Sequence, residues 1–395
     1  MKKKSKRRKF PSPAAWLYYP AAVIVSVFMR LYYRVTVDKS GVRDIKGPAL
    51  VLANHLSDQD HFFVGMALLP HRPTFVLSAH FMAKRFLRPI LKPLHVITKR
   101  MFDSDAGTVL NMMRAARDGR ILVLFPEGRL TWTAHSMRIT EGTAELIKKL
   151  KIDVYRVTPT GAALTFPKWG RKRRGRIHIE TEKLISAADI PEMTKDEIYT
   201  LITESLRHDD ETACRGIKFS CRDTTDGLDG ILYKCPVCGA ERTLETKHGH
   251  IKCTACGLDA VLSRDYTITG APFETVNEWY AWQYGELDLD TPLSGDFNVG
   301  STDEHGYVVH GAGRAHCTLD REHFAFKGEL FGQPLEFEMM TADIPAVPIT
   351  VSKRFDIYHE KTLLHLTPAP DPRETVRWAI YFDRLTDERV GMRGK

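Results

Sequence analysis

The clearest candidates for chemistry lie in "VLANHLSDQDHFF", Val51 to Phe63, where a histidine and an aspartate stand five positions apart after a short apolar run. That separation lets a tight turn bring the Asp60 carboxylate onto the His55 imidazole. The contact would fix the tautomer and stabilise the imidazolium as His55 takes a proton. The same residues could instead make a capped turn, with Asp58 or Asp60 opening a helix over "DHFFVGMALL". In a chain with 16 histidines, roughly one such spacing arises by chance, so spacing alone leaves the two readings level. Position adds weight. Asn54 and His55 follow the buried-strand candidate "ALVLA", Ala49 to Ala53, and open α/β sheets take ligands at the carboxyl ends of their strands.

Two further apolar runs end in chemically useful residues. "LFPEGRLT" runs into a turn holding Glu127, Gly128 and Arg129, and "HVITKR" ends at Arg100. Glycine lets backbone approach a ligand closely, and an arginine fork suits phosphate or carboxylate. Either arginine alone reads as a solvated strand end. Three strand ends carrying His-Asp, Arg and Glu-Gly-Arg together read as a site.

The chain has seven cysteines, an odd number, and no small-x-small cleavage signature follows its apolar N-terminal stretch. A disulfide framework is therefore not expected. Cys235-Pro-Val-Cys238-Gly and Cys253-Thr-Ala-Cys256-Gly form two knuckles fourteen residues apart. This spacing suits a closed, tetrahedral four-thiolate zinc site of the ribbon type, structural in role. Redox disulfides are the alternative. His248 and His250, in the intervening hairpin, read as surface residues, and Cys214, Cys221 and Cys317 as ordinary thiols.

The first three elements resemble the glycerolipid acyltransferase superfamily, typified by lysophosphatidic acid acyltransferase. "NHLSDQD" is similar to its Asn-His-x-x-x-x-Asp block, "FPEGRLT" to its Phe-Pro-Glu-Gly block, and "TPTGAAL" sits where a proline-containing strand follows. The resemblance spans roughly residues 35–185. It implies that His55 is a general base oriented by Asp60, acting on an acceptor hydroxyl that attacks an acyl thioester. The donor would be acyl-CoA or acyl carrier protein, and the step needs no metal. No Gly-x-Ser-x-Gly nucleophile elbow is present. Asn54, Arg100, Glu127, Gly128 and Arg129 would carry over as the substrate-binding set. Arg129 follows Gly128 directly, where the family often has Thr-Arg, and Lys99 precedes Arg100 where an acid is common. With Met137-Arg138 and Glu141-Gly142, the segment looks more like the branch that acylates lysophospholipids, including lysophosphatidylethanolamine.

The surrounding elements must hold these residues in place. Between Pro48 and Ile179, "ALVLA", "TFVLS" and "ILVLF" alternate with helical spacing at Val109, Met112, Met113 and Ala116, which predicts an α/β layer domain. Seven of the eight net positive charges lie in the opening "MKKKSKRRKF". An apolar stretch rich in Trp and Tyr follows, broken by Pro11, Pro13 and Pro20 and closed by Arg30 and Arg34. It predicts a monotopic or hairpin anchor with the basic tail on anionic lipid; a buried first helix is the alternative. "AADIPEMTKDEIYTLITESLRHDD" reads as a polar-faced helix leading away. "FPKWGRKRRGR" packs six basic residues around Trp169, as an interfacial or phosphate-facing loop or a solvated hairpin tip. Beyond Pro292 a period of two predicts an antiparallel meander closed by a helix with Val376, Trp378 and Ile380 inward, similar in pattern to pleckstrin-homology-like barrels.

The expected organisation is a tail and anchor over 1–36, an acyltransferase domain over 37–210, a zinc ribbon over 228–265 and a β-rich domain over 290–395. The expected setting is the cytoplasmic face of the cell membrane. Two other classes stay in view: a non-catalytic lipid-binding adaptor, and a nucleic-acid binder using tail, basic loop and ribbon. The latter would show salt-sensitive retention of DNA or RNA.

Overall fold

The computed structural model describes residues 9–99, 106–303, 307–344, 347–360 and 362–393. They pack as two compact units. The first comprises residues up to 130 together with 135–162 and 176–213. The second comprises 131–134, 163–175 and everything from 214 onward.

The first unit is built on seven strands: β1 (Val35–Val37), β2 (Ala49–Ala53), β3 (Thr74–Ser78), β4 (Ile97–Lys99), β5 (Ile121–Leu124), β6 (Asp153–Thr160) and β7 (Ile177–Ile185). Their spatial order is β1-β7-β6-β2-β5-β3-β4. Every pairing is parallel except β6 with β7. Its helices are α1 (Ala15–Tyr33), α2 (Asp60–Leu68), α3 (His80–Ala83), α4 (Arg88–Leu91), α5 (Ala106–Arg117), α6 (Gly142–Leu150), α8 (Lys195–Leu206) and α9 (Asp210–Ala213), while the short α7 (Ala162–Thr165) belongs, but for its first residue, to the second unit. Strand β2 is central and every one of its residues is buried, which is why it reads as unbroken apolar sequence rather than alternation. One face of the sheet gathers Leu50, Leu52, Leu122 and Val154 against Ile147 of α6 and Ile198 and Ile202 of α8.

Helix α8 therefore does not lead away. Its Ile198, Ile202 and Leu206 form an i, i+4, i+8 stripe, and all three are buried. Thr194 and Glu197 start it with a reciprocal capping box. The N-terminal stretch also differs from the hairpin expectation. Pro11 and Pro13 precede α1, and Pro20 lies inside a continuous helix of 19 residues. Losing one hydrogen bond near the start is carried by the turns that follow. Among the described residues α1 is the one helix long and apolar enough to cross a membrane, with mean hydropathy 1.3. It is mostly exposed, burying Ser26, Met29 and Tyr33, so it is not a buried first helix.

In the second unit, strands β8 (Leu244–Lys247), β9 (His250–Cys253), β10 (Asp259–Leu262) and β11 (Ile268–Thr269) make a four-stranded antiparallel sheet in the order β11-β10-β9-β8. Helix α10 (Val276–Gly285) follows. Then come β12 (Leu293–Thr302), β13 (Val308–Leu319), β14 (His323–Leu330), β15 (Gln333–Met340), β16 (Ile349–Thr350), β17 (Arg354–His359) and β18 (Thr362–Ala369). They form an antiparallel sheet ordered β15-β14-β13-β12-β18-β17-β16, so first and last strands meet at its centre. The closing helix α11 spans Thr375–Arg393. Val376, Trp378 and Ile380 are buried as expected, but so are Ala379, Tyr381, Phe382 and Leu385. Trp378 is edge-on to Phe297, 4.9 Å between ring centroids, and stacked on Phe355 at 5.9 Å.

The basic loop is neither a free tip nor wholly outward. Trp169 and Arg173 are buried. The Arg173 guanidinium lies 4.7 Å from the Trp169 ring centroid and 4.5 Å from that of Tyr266, and Nη2 donates to the Thr224 carbonyl at 2.7 Å. Arg171 pairs with Asp226 at 2.7 Å, while Lys172, Arg174 and Arg176 are exposed. Cation–π stacking on two rings holds the turned-in arginine.

Replacing Trp378 by Ala should cost about 3–5 kcal/mol. Denaturant unfolding of the full chain would show this as a lowered midpoint for the transition that reports on the C-terminal unit. An unchanged midpoint would mean that this aromatic cluster does not anchor α11.

Candidate functional site

Because β2 and β5 are adjacent and parallel, the loops leaving their carboxyl ends meet. The first carries Asn54, His55 and Ser57 into α2, whose first residue is Asp60. The second carries Phe125, Glu127, Gly128 and Arg129. His55 Nδ1 lies 3.0 Å from Asp60 Oδ2. Asp60 is fully buried and is held in turn by the Ser57 amide, donating at 2.8 Å, and the Ser57 hydroxyl, donating at 2.6 Å. Burial holds the Asp60 carboxyl above its ordinary range, resisted by hydrogen bonds from His55 and Ser57. The His55 ring stacks on Phe125 with centroids 4.3 Å apart, and a quarter of its side chain (25%) stays exposed. With Nδ1 engaged, Nε2 is the nitrogen left for a reacting group.

Glu127 is built in beneath this pair. Its Oε1 accepts from the His55 backbone N–H at 3.1 Å and its Oε2 from Met137 N–H at 3.0 Å. Burial outweighs those two donors and pushes the carboxyl up to about 7. Asn54 is likewise enclosed: its amide donates to the Leu206 carbonyl at 2.6 Å and its oxygen accepts from the Thr158 hydroxyl at 2.8 Å. Expected as substrate contacts, both are buried and have polar atoms engaged with neighbouring protein groups. Gly128 is exposed with φ of +74° and closes a turn back onto the Phe125 carbonyl, a backbone region that favours glycine. Arg129 is half-buried at the same turn. Arg100 lies outside the described residues; β4 ends at Lys99.

Sequence reasoning missed the parts played by Ser57, Met137, Thr158 and Leu206. Ser57 stands at a position of the His-Asp block open to any residue, and the other three act through backbone atoms or from distant elements. Asp58 is exposed, and it is Asp60 whose carboxylate meets the His55 ring.

In the second unit the four knuckle cysteines bring their sulfurs within 4.8 Å of one another. Cys235 and Cys256 sulfurs are 3.7 Å apart, and those of Cys238 and Cys253 3.8 Å. A tetrahedral ion bound to thiolates at about 2.3 Å has edges of about 3.8 Å, so the donor set fits a metal such as zinc. Gly239 and Gly257, with φ of +72° and +78°, turn each knuckle so that their amides reach the Cys235 and Cys253 carbonyls at 3.0 Å. Of the intervening histidines, His250 pairs with Asp259 at 2.7 Å.

Residues 34–159 match the family model described as Acyltransferase. This stretch, which contains both loops of the site, is an acyltransferase-family domain. Among solved structures, the chain is similar to the 1-acyl-sn-glycerophosphate (LPA) acyltransferase of Thermotoga maritima. That match has 15% identity and a TM-score of 0.40, and covers 48% of this chain and 78% of the other.

Two outcomes follow from this geometry. Glu127→Gln mimics the protonated carboxyl. A folded-state value raised from 4.5 to about 7 costs stability as pH rises through that window. The variant should therefore gain stability relative to the native chain between those values and hold the gain above them. Denaturant melts across that range would show it, and a pH-independent difference would refute it. For the knuckles, metal analysis of purified protein should return about one zinc per chain, and Cys235→Ser should lower it; folded, metal-free protein would overturn the assignment.

Proposed function

We propose that the chain transfers a fatty acyl group from acyl-CoA or acyl carrier protein to the free hydroxyl of lysophosphatidic acid or a lysophospholipid. The observation that carries this reading is the His55–Asp60 pair at the carboxyl end of β2, inside the acyltransferase-family segment. His55 Nε2 takes the acceptor hydroxyl proton. The oxygen attacks the thioester carbonyl, forming the ester C–O bond, and the C–S bond breaks. The departing thiolate takes the proton back from the imidazolium. Asp60 keeps Nδ1–H directed away from the substrate and stabilises the charged ring.

In this reading Asn54 and Glu127 are positioning residues. Gly128 and Arg129, at the exposed turn after β5, and Arg100, following β4, take the acceptor phosphate, for which an arginine fork is suited. The four cysteines hold a structural zinc that takes no part in the transfer. Helix α1 lies in the membrane interface at the cytoplasmic face, where the acceptor lipid resides, and its exposed Trp16, Tyr19 and Tyr32 favour the headgroup level. The β12–β18 meander closed by α11 is read as pleckstrin-homology-like, from its strand order and closing helix.

His55→Ala and Asp60→Asn should each lower acyl transfer by about a hundredfold or more, with the unfolding transition kept. Labelled acyl donor and a panel of lysophospholipids, read by lipid mass spectrometry, measure this. Native turnover in folded His55→Ala protein would end the mechanism.

A further inference from the structure

The first unit carries an exposed segment that the transfer reaction leaves unused. Residues 80–95, containing α3 and α4, present Phe81, Phe86 and Ile90 to solvent, with Phe86 71% exposed. Helix α4 buries none of its residues. Lys84, Arg85, Arg88 and Lys92 are interleaved with these apolar side chains, and Lys84 Nζ lies 5.1 Å from the Phe81 ring centroid. Among the described residues of this unit, the exposed large apolar side chains fall in α1 and in this segment, apart from Leu110. Single exposed apolar residues are ordinary; three beside four cations on one short segment form a patch.

Charge selects what covers it. No Asp or Glu occurs from His61 to Arg100, nor from Met1 to Val37. A second copy meeting this face with its own would bring like charges together. An anionic lipid surface meets both features, with rings at headgroup level and cations among the phosphates. The patch is also continuous with α1: the Ala14 amide, at the start of that helix, donates to the Pro93 carbonyl at 2.9 Å, just past α4.

We propose that residues 80–95 are a second membrane-contact element, lying on an anionic phospholipid surface beside α1. The proposal shares with the reading above only the placing of α1 at a membrane. The segment's affinity for lipid should rise by about fivefold for each cation that reaches the anionic surface.

The experiment is hydrogen–deuterium exchange on the full chain, on vesicles of phosphatidylcholine with phosphatidylglycerol and on phosphatidylcholine alone. Peptides covering 80–95 should exchange severalfold more slowly on the anionic vesicles. Lys84→Glu with Arg88→Glu should remove that difference, and the milder pair Lys84→Gln with Arg88→Gln should reduce it. Equal exchange on both vesicle types overturns the proposal, as does a difference that both variant pairs retain. Protection of α1 without 80–95 overturns it while leaving the α1 reading standing. Protection of 80–95 without α1 does the reverse. Slowing that appears without lipid and grows with protein concentration identifies a second copy as the occupant, and also overturns it.

Discussion

One buried carboxylate ties the site together. Glu127 spends both oxygens on backbone amides, one from His55 after β2 and one from Met137 beyond the β5 turn. A charged group enclosed this fully is costly unless its lone pairs are used. Moving either loop would strand the carboxylate, so the two loops hold one relative position. The imidazole then rests on Phe125 from the second loop and against Asp60 at the start of α2. The geometry of the candidate site rests on satisfied backbone amides as much as on the His55–Asp60 contact.

The same principle reaches outward. Asn54 fixes the end of β2 to Leu206, the last residue of α8, and to Thr158 on β6. His208 and Ser136 join by two reciprocal hydrogen bonds, and His208 meets the buried Asp210, which also accepts from Gly161 N–H. A segment that looks like a departing linker thus closes the far side of the domain. In the second unit the work is divided. A four-sulfur cluster organises the knuckles, a turned-in arginine between two rings pins residues 163–175, and a ring cluster around Trp378 seats α11.

Local pattern made much of this legible. The apolar runs at Ala49, Thr74 and Ile121 announced β2, β3 and β5; β2 and β5 are buried almost throughout, and such strands need unbroken apolar sequence. The paired Cys-x-x-Cys-Gly spacing announced the knuckles, because thiolates and the turn glycines have few substitutes. Other features were hidden. The roles of Ser57, Met137 and Leu206 rest on amide, hydroxyl or carbonyl groups that many residue types could supply. The inward turn of Arg173 could not be read from a run of six cations, since each looks solvated until Trp169 and Tyr266 are placed around it. The continuous α1 was obscured by Pro20, whose local penalty the rest of the helix outweighs.

The amino-acid sequence by itself supplied the candidate pair, His55 with Asp60, the four thiols and the concentration of positive charge in the opening segment, because those features depend on residue type and short spacing. Tertiary structure alone decided that Glu127 and Asn54 face into the protein, that α8 packs back on the sheet, and that Phe81, Phe86 and Ile90 stay outside. Those outcomes depend on which neighbours can satisfy a buried polar atom or cover an apolar one. Such neighbours come from strands and helices distant in the chain, beyond the reach of any local pattern.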